Sequence, residues 1–196
     1  MGWRRHFGLE GKHAFLSPSN GAWTNYTDEK LFQRLDTVKA AERGSELHEL
    51  AHRLIKLKEP LPDIQRTLNM YVNDALAYGM TSEQMLYYSW NCFGTADTIS
   101  FEDGYLRIHD LKTGITKVNP RQLEIYAALF CLEYEQDPDE LTIELRIYKD
   151  DEIEKYPGDW ERTRQIEKYM RIIVNHHEKI ELWRTEKEAN RGRFHR

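Results

Sequence analysis

The dipeptide Asp103-Gly104 stands between two runs of alternating polarity, residues 95–101 and 105–112, and no other feature constrains the fold as much. A two-residue type I′ turn needs positive φ at both central positions, which Asp-Gly accepts at little cost, so a tight antiparallel hairpin is predicted. The turn fixes the register. Glu102 opposes Tyr105, and each step back along one strand is a step forward along the other, which sets Asp97 against Asp110 and Thr95 against Lys112. Alternation then gives Asp97, Asp110 and Lys112 the same face as Ile99, Phe101, Leu106 and Ile108, the side expected to face the core. Thr98, Ser100, Arg107 and His109 fall on the other face. Directly opposed side chains hold their β-carbons about 4.5–5.5 Å apart, where like charges repel. Two acids so placed ask for a cation. Two carboxylates and a backbone carbonyl form a hard oxygen set suited to Mg²⁺ or Mn²⁺. Lys112 can orient a water or steady phosphate charge beside them. The plain alternative is an ion-pair cluster at the edge of the core, and a β-bulge in either strand would shift the register.

Around the hairpin, hydrophobic periodicity organises the rest of the chain. Residues 1–35, rich in Gly, Ser, Asn and aromatics, read as a loop and a short helix. Leu47, Leu50, Ala51, Leu54 and Ile55 recur at helical spacing within 37–58, and Glu59-Pro60 ends that pattern. A second helix is predicted over 62–78, with Ile64, Leu68, Tyr71, Val72 and Ala75 inward. Residues 85–90 read as a strand that joins the hairpin in a meander. Pro120 opens a helix through Gln122, Tyr126, Leu129 and Phe130; residues 141–148 alternate as a further strand; a terminal helix runs from 160 to 183. Beyond it, 184–196 reads as a small, mobile basic arm, and His176-His177 as a solvated helix edge. This order predicts a single α/β domain over 1–196, a mixed central sheet flanked by helices.

Composition narrows the functional classes. A formal net charge of −5 excludes a surface that is basic all over, so contact with a polyanion must rest on a local patch or on metal ions. Cys92 and Cys131 are too few for a disulfide framework or a four-cysteine cluster and read as inert core thiols. No stretch approaches the length of a membrane span, and the start Met1-Gly2-Trp3-Arg4-Arg5-His6 has no apolar signal core behind it, so a cytoplasmic protein is expected.

Gly94-Thr95-Ala96-Asp97 followed by Asp110-Leu111-Lys112-Thr113-Gly114 resembles the active-site core of the PD-(D/E)xK nuclease superfamily, and the DLKTG string its RecB-like exonuclease branch. Arg43-Gly44 with His48 resembles that family's helix histidine, Gln122 with Tyr126 its QxxxY motif, and Leu16-Ser17-Pro18-Ser19 its N-terminal segment. The resemblance spans roughly residues 16–150 in family order and implies a restriction-endonuclease-like core. It implies catalytic roles for Asp97, Asp110 and Lys112, metal ligation by His48, Asp97, Asp110 and the Leu111 carbonyl, and Gln122 and Tyr126 near DNA. Lys117 and Arg121, which flank the site in sequence, are further candidates for DNA contact. The expected activity is metal-dependent hydrolysis of DNA phosphodiesters, as an exonuclease, in DNA recombination, repair or processing. The implied cofactor is Mg²⁺ or Mn²⁺. The chain lacks the cysteines by which some relatives hold an iron–sulfur cluster, so no cluster is expected, nor is an attached helicase motor. Its size resembles stand-alone phage recombination exonucleases, so the expected setting is the cytoplasm of a bacterial or phage-infected cell. DNA is the expected partner, with a single-strand annealing protein, a helicase or a second copy of the chain as protein partners, and no membrane.

Two other classes compete. His48-Glu49-Leu50-Ala51-His52 spells HExxH, the motif that puts two imidazoles and a general-base glutamate on one helix face in zinc metallopeptidases. That alternative uses His48, Glu49 and His52 but leaves Asp97, Asp110 and Lys112 without a role. An inactive DNA-binding module on the same fold is the other, and an intact set of two acids and a lysine speaks against it.

Overall fold

A computed structural model describes residues 15, 16, 18, 21–114 and 118–193, with side chains at 15, 16, 18, 22–114 and 118–187. The chain, expected above as one domain, divides into two compact units, residues 1–46 and 47–196. The first holds a 3₁₀ turn, Gly21–Asn25, and the start of helix α1, Asp28–Leu57. The helix begins well before residue 37, the start predicted from periodicity. Thr27 Oγ1 accepts the Lys30 N–H at 3.4 Å, and Asp28 and Glu29 place negative charge in the first turn.

The second unit is an α/β assembly: the end of α1, then α2 (Thr67–Ala77), β1 (Thr81–Ser89), β2 (Cys92–Glu102), β3 (Tyr105–Leu111), α3 (Arg121–Glu133), β4 (Thr142–Lys149), β5 (Glu152–Pro157) and α4 (Trp160–Arg193). Its five strands lie in the order β1-β2-β3-β4-β5. The sheet is mixed: β3 and β4 are parallel, joined through α3, and the other pairs are antiparallel. Asp103 and Gly104 adopt φ of 48° and 77°, and Glu102 pairs with Tyr105, as the turn chemistry requires. The fifth strand was not legible in the sequence. Asp150 and Asp151, at φ 51° and 61°, make the same kind of turn without a glycine and return the chain antiparallel to β4. Asp151 then serves a second purpose. Its carboxylate accepts the Thr67 N–H at 2.8 Å and pairs with Arg66 at 2.7 Å, capping α2 from a distant hairpin. The remote cap explains why α2 starts at Thr67 and not at 62, and why Ile64 is exposed.

Helices cover both faces of the sheet. On one, Ile99, Leu106, Ile108, Ile143 and Leu145 pack with Leu123, Ala127, Ala128 and Ile166 of α3 and α4. On the other, Leu111 and Tyr148 pack with Ala51 and Ile55 of α1 and Tyr71, Val72 and Ala75 of α2. Thr98 and His109, assigned by alternation to the polar side, are therefore fully buried. A polar network accommodates them. Tyr148 donates to Asp74 at 2.6 Å and lies 3.3 Å from His109 Nδ1, while Arg146 bridges Asp74 and Glu144. Burial, then the charges of Arg146 and Arg107, push His109 down to about 3, so its ring is neutral.

Three smaller expectations need correction. Leu47 and Leu50 are exposed, because the stripe of α1 that meets the core runs through Ala51, Leu54 and Ile55. Helix α4 passes Trp183 and runs to Arg193, so 184–193 is helical and not a loose arm; no glycine or proline intervenes before Gly192. His177 packs edge-on to Tyr88, ring centroids 5.5 Å apart, instead of standing in solvent. No helix among the described residues is long and apolar enough to cross a membrane.

Because Ile108 is wholly buried at the centre of the sheet whereas Phe101 is 42% exposed on the same strand pair, the two should respond differently to truncation. Ile108→Ala should cost about 3 kcal/mol of unfolding free energy and Phe101→Ala well under half of that, measured by urea denaturation.

Candidate active site

The site forms where β2 and β3 part. Their backbone pairing ends at Thr98↔His109, and beyond it β3 stays with β4, pairing Asp110 with Ile147 and Leu111 with Tyr148. Lys112 N–H still donates to the Tyr148 carbonyl at 2.9 Å. Strand β2 meanwhile follows β1. Asp97 and Asp110 are thus not a ladder pair, which corrects the predicted register at its far end.

Alternation also breaks at this point. Ala96 and Ile99 both pack on the α3 side, whereas Thr98 hydrogen-bonds to Tyr71 of α2 and Asp97 turns toward α1. On β1 the residue across from Asp97 is Glu83, which has φ 55° and drops out of the ladder between Ser82↔Thr98 and Gln84↔Ala96. Such an irregularity redirects side chains without ending the strand. Asp110 keeps the phase of Leu106 and Ile108, so the two acids enter the gap from opposite sides of the sheet instead of from one face.

In the gap the carboxylate of Asp97 takes the place of a strand partner, accepting the Leu111 N–H at 3.0 Å. Its Oδ2 also lies 3.3 Å from His48 Nδ1, and the same imidazole hydrogen-bonds to Leu111 on the backbone. The hydrogen bond that His48 donates to Asp97 raises the His48 pKa above the ordinary histidine value, against the opposing effect of partial burial; the charges of Asp97 and Asp110 add to the rise. Asp110 is 2% exposed, and burial first, then the Asp97 charge, raise its carboxyl pKa. Lys112 Nζ donates to Asp110 Oδ1 at 3.0 Å and lies 2.9 Å from Oδ2, which is buried without a well-formed hydrogen bond. Lys112 also donates to Gln122 Oε1 at 2.9 Å, and Gln122 reaches the Tyr126 hydroxyl at 3.4 Å.

All of the residues picked as catalytic or metal-ligating therefore converge: His48, Asp97, Asp110, Leu111 and Lys112, with Gln122 and Tyr126 behind the lysine. Arg121 lines the adjoining groove, and Lys117 lies outside the described residues, as do Ser17 and Ser19 of the N-terminal segment. The HExxH residues go separate ways. His52 Nδ1 meets Ser82 Oγ at 2.8 Å, Glu49 pairs with Arg53 in solvent, and His48 serves Asp97. Among the described residues no group of three or more His, Cys, Asp or Glu side chains forms a ready-made ion site. The donors that face the gap are instead two carboxylates, one imidazole and a backbone carbonyl.

A groove of ≈ 650 Å³ opens beside Lys112 between the start of β2 and α3, lined by Phe93, Gly94, Arg121, Gln122, Ile125 and Tyr126 among others. Gly94 lets the tyrosine approach, since a Cβ there would stand 3.0 Å from Tyr126 Cε1. Sequence reading missed Phe93 as a lining residue, although it directly precedes the Gly94-Thr95-Ala96-Asp97 segment. No protein-family model, no curated protein and no solved structure matches the chain.

The His48–Asp97 pair has a pH signature. A histidine pKa raised in the fold stabilises it fully below the unfolded value of 6.5, and that stability is lost as pH rises through the folded value. In chelator-treated protein, NMR titration should place His48 above 6.5, and Asp97→Asn should move it back down. An unmoved titration would rule out the pair.

Proposed function

We propose that the chain is a divalent-metal-dependent deoxyribonuclease built on a restriction-endonuclease-like core. The reading rests chiefly on one observation: Asp97, Asp110, His48 and the Leu111 backbone meet where β2 leaves β3, with a buried Asp110 oxygen that lacks a well-formed hydrogen bond and a lysine beside it. A meander of three strands followed by α3 and a strand parallel to β3 also fits the fold that the Asp97, Asp110 and Lys112 pattern implies.

The donor set suits a hard cation. Two carboxylates, of which Asp110 is made harder to ionise by burial and then by the Asp97 charge, plus a carbonyl, match the oxygen chemistry of Mg²⁺ or Mn²⁺ better than the thiolate- and imidazole-rich sets that favour zinc. Asp97, Asp110, the Leu111 carbonyl and His48 would hold the ion. When bound, it would supply Lewis-acid stabilisation of a phosphate oxygen and acidify water. The remaining work falls to the chain. Lys112, held between Asp110 and Gln122, keeps a cation at the mouth of the groove, where it can donate to a phosphoryl oxygen or orient the attacking water. Tyr126, through Gln122, fixes the lysine's direction. Water adds its oxygen to phosphorus, one P–O ester bond breaks, and the departing oxygen takes up a proton. Exonucleolytic cutting in DNA recombination or repair is the role most compatible with the RecB-like motif set.

Purified protein should cut end-labelled linear DNA with Mg²⁺ or Mn²⁺ and not with chelator, sparing closed circles. Lys112→Ala should lower cleavage by about 10²-fold or more while DNA binding changes little. Cleavage that survives either Lys112→Ala or chelator would sink the proposal, and binding without cleavage by the unaltered chain would favour an inactive DNA-binding module. Mn²⁺ affinity should rise with pH, because ligation needs an unprotonated His48 and an ionised Asp110, both of which hold their protons more tightly than usual. Calorimetry below and above neutrality checks this.

A further inference from the structure

At the tip of the β1–β2 hairpin Trp90 is 83% exposed, Phe93 53% and Tyr87 38%. Tyr87 and Phe93 are direct partners across the strands, and their rings stack, centroids 6.4 Å apart and planes 27° from parallel. Trp90 stands edge-on to Tyr87 at 6.1 Å. The hairpin tip that carries them is tied to α4: Arg184 donates to Asn91 at 2.9 Å, and Tyr88 packs on His177. A cluster of solvent-facing aromatic rings is costly to leave in water and marks a contact surface.

Glu133 accepts the Tyr87 N–H at 2.8 Å and Glu181 lines a hollow with Tyr87 and Trp90, so the anion-attracting charge lies on the other side, toward the groove. Phe93 also lines the groove that runs to Lys112, and the charged side chains among that groove's described lining residues are Lys112 and Arg121, both cationic. In a chain of net charge −5, a groove with purely cationic charges and apolar walls of Phe93, Ile125 and Leu129 fits a ligand that is anionic along its length and carries flat apolar rings. Duplex DNA hides its bases and presents phosphates; a single strand presents both. Phe93 stands four residues from Asp97 along β2, about 13 Å in an extended strand, so one bound strand can lie on the rings and reach the acids.

We propose that Tyr87, Trp90 and Phe93 form a base-stacking platform that receives an unpaired DNA strand and leads it to the Asp97–Asp110 gap. The inference rests on the nuclease reading for its direction toward the acids, but base stacking itself can be measured without cleavage. The probes are fluorescein-labelled oligothymidylate and an abasic strand of equal length and charge, with anisotropy read in the presence of chelator. The unaltered protein should prefer the strand with bases roughly tenfold. Trp90→Ala with Phe93→Ala should abolish that preference while leaving affinity for the abasic strand unchanged, a control that also reports an intact fold; Trp90→Phe should retain it. The inference is overturned if the double variant keeps the preference, or if the unaltered protein shows none. It is also overturned if sedimentation finds a dimer that Trp90→Ala dissolves, which would give the patch to a second copy. Failure of Mg²⁺-dependent cleavage with the base preference intact would remove the nuclease reading and the route to the acids, yet leave the platform standing.

Discussion

Everything at the candidate site depends on which neighbour β3 keeps. A strand in the middle of a mixed sheet has two ladders to satisfy, and this one honours the parallel ladder to β4 through Leu111 while releasing the antiparallel ladder to β2 after His109. The release leaves the Leu111 N–H without a strand partner. A buried amide left unpaired costs about 1–3 kcal/mol, so something must accept from it, and the Asp97 carboxylate does. The same event thus opens a gap and draws a charge into it. Ile108, Leu145 and Ile147, all buried, anchor β3 and β4 below the gap, so its floor is held by the best-packed part of the molecule.

The electrostatics of the gap are poised. Asp110 sits in a place that disfavours its charge, and the protein's own cations answer: Lys112 beside Asp110, a proton-retaining His48 beside Asp97. Those cations are partly exposed or titratable, unlike a buried arginine. Arg146, on the opposite face of the sheet, shows the contrast, being locked between Asp74 and Glu144 where it can only be structural. A pair of acids whose counter-charges can be withdrawn is a site that can exchange them for an external cation; a pair sealed by arginines is not.

The sequence disclosed which side chains meet more completely than the path of the chain. Asp103-Gly104 located the hairpin because turn chemistry is local, and the convergence of His48, Asp97, Asp110 and Lys112 was readable from motif order. The register held only as far as Thr98↔His109, since where a ladder ends depends on the competing pull of β1 and β4, which no short window of sequence contains. The helical start at Thr67 was invisible for the same reason: its cap, Asp151, lies on a hairpin whose turn has two aspartates and no glycine. His109 and Thr98 looked like solvent-facing residues because alternation cannot distinguish water from a buried polar network such as that of Asp74, Tyr148 and Arg146. Exposed Trp90 and Phe93 carry no periodic signal at all, and only the ring cluster they form with Tyr87, which Phe93 joins to the groove, gives them meaning.

On the proposed reading an acidic protein acts on a polyanion and must confine its attraction to a small area, and the groove beside Lys112 is such an area. With two described cations there, the counterion-release contribution to affinity is limited to a few phosphates, and its salt dependence would be correspondingly shallow. Binding strength on the proposed reading must then come from elsewhere, and the candidates are stacking on exposed rings and ligation through a metal held by Asp97 and Asp110. Both act on the strand near its reacting phosphate and neither reads the sequence of bases. On the proposed reading such a surface treats all base sequences alike, which suits an enzyme that removes nucleotides one after another better than one that must find a particular site.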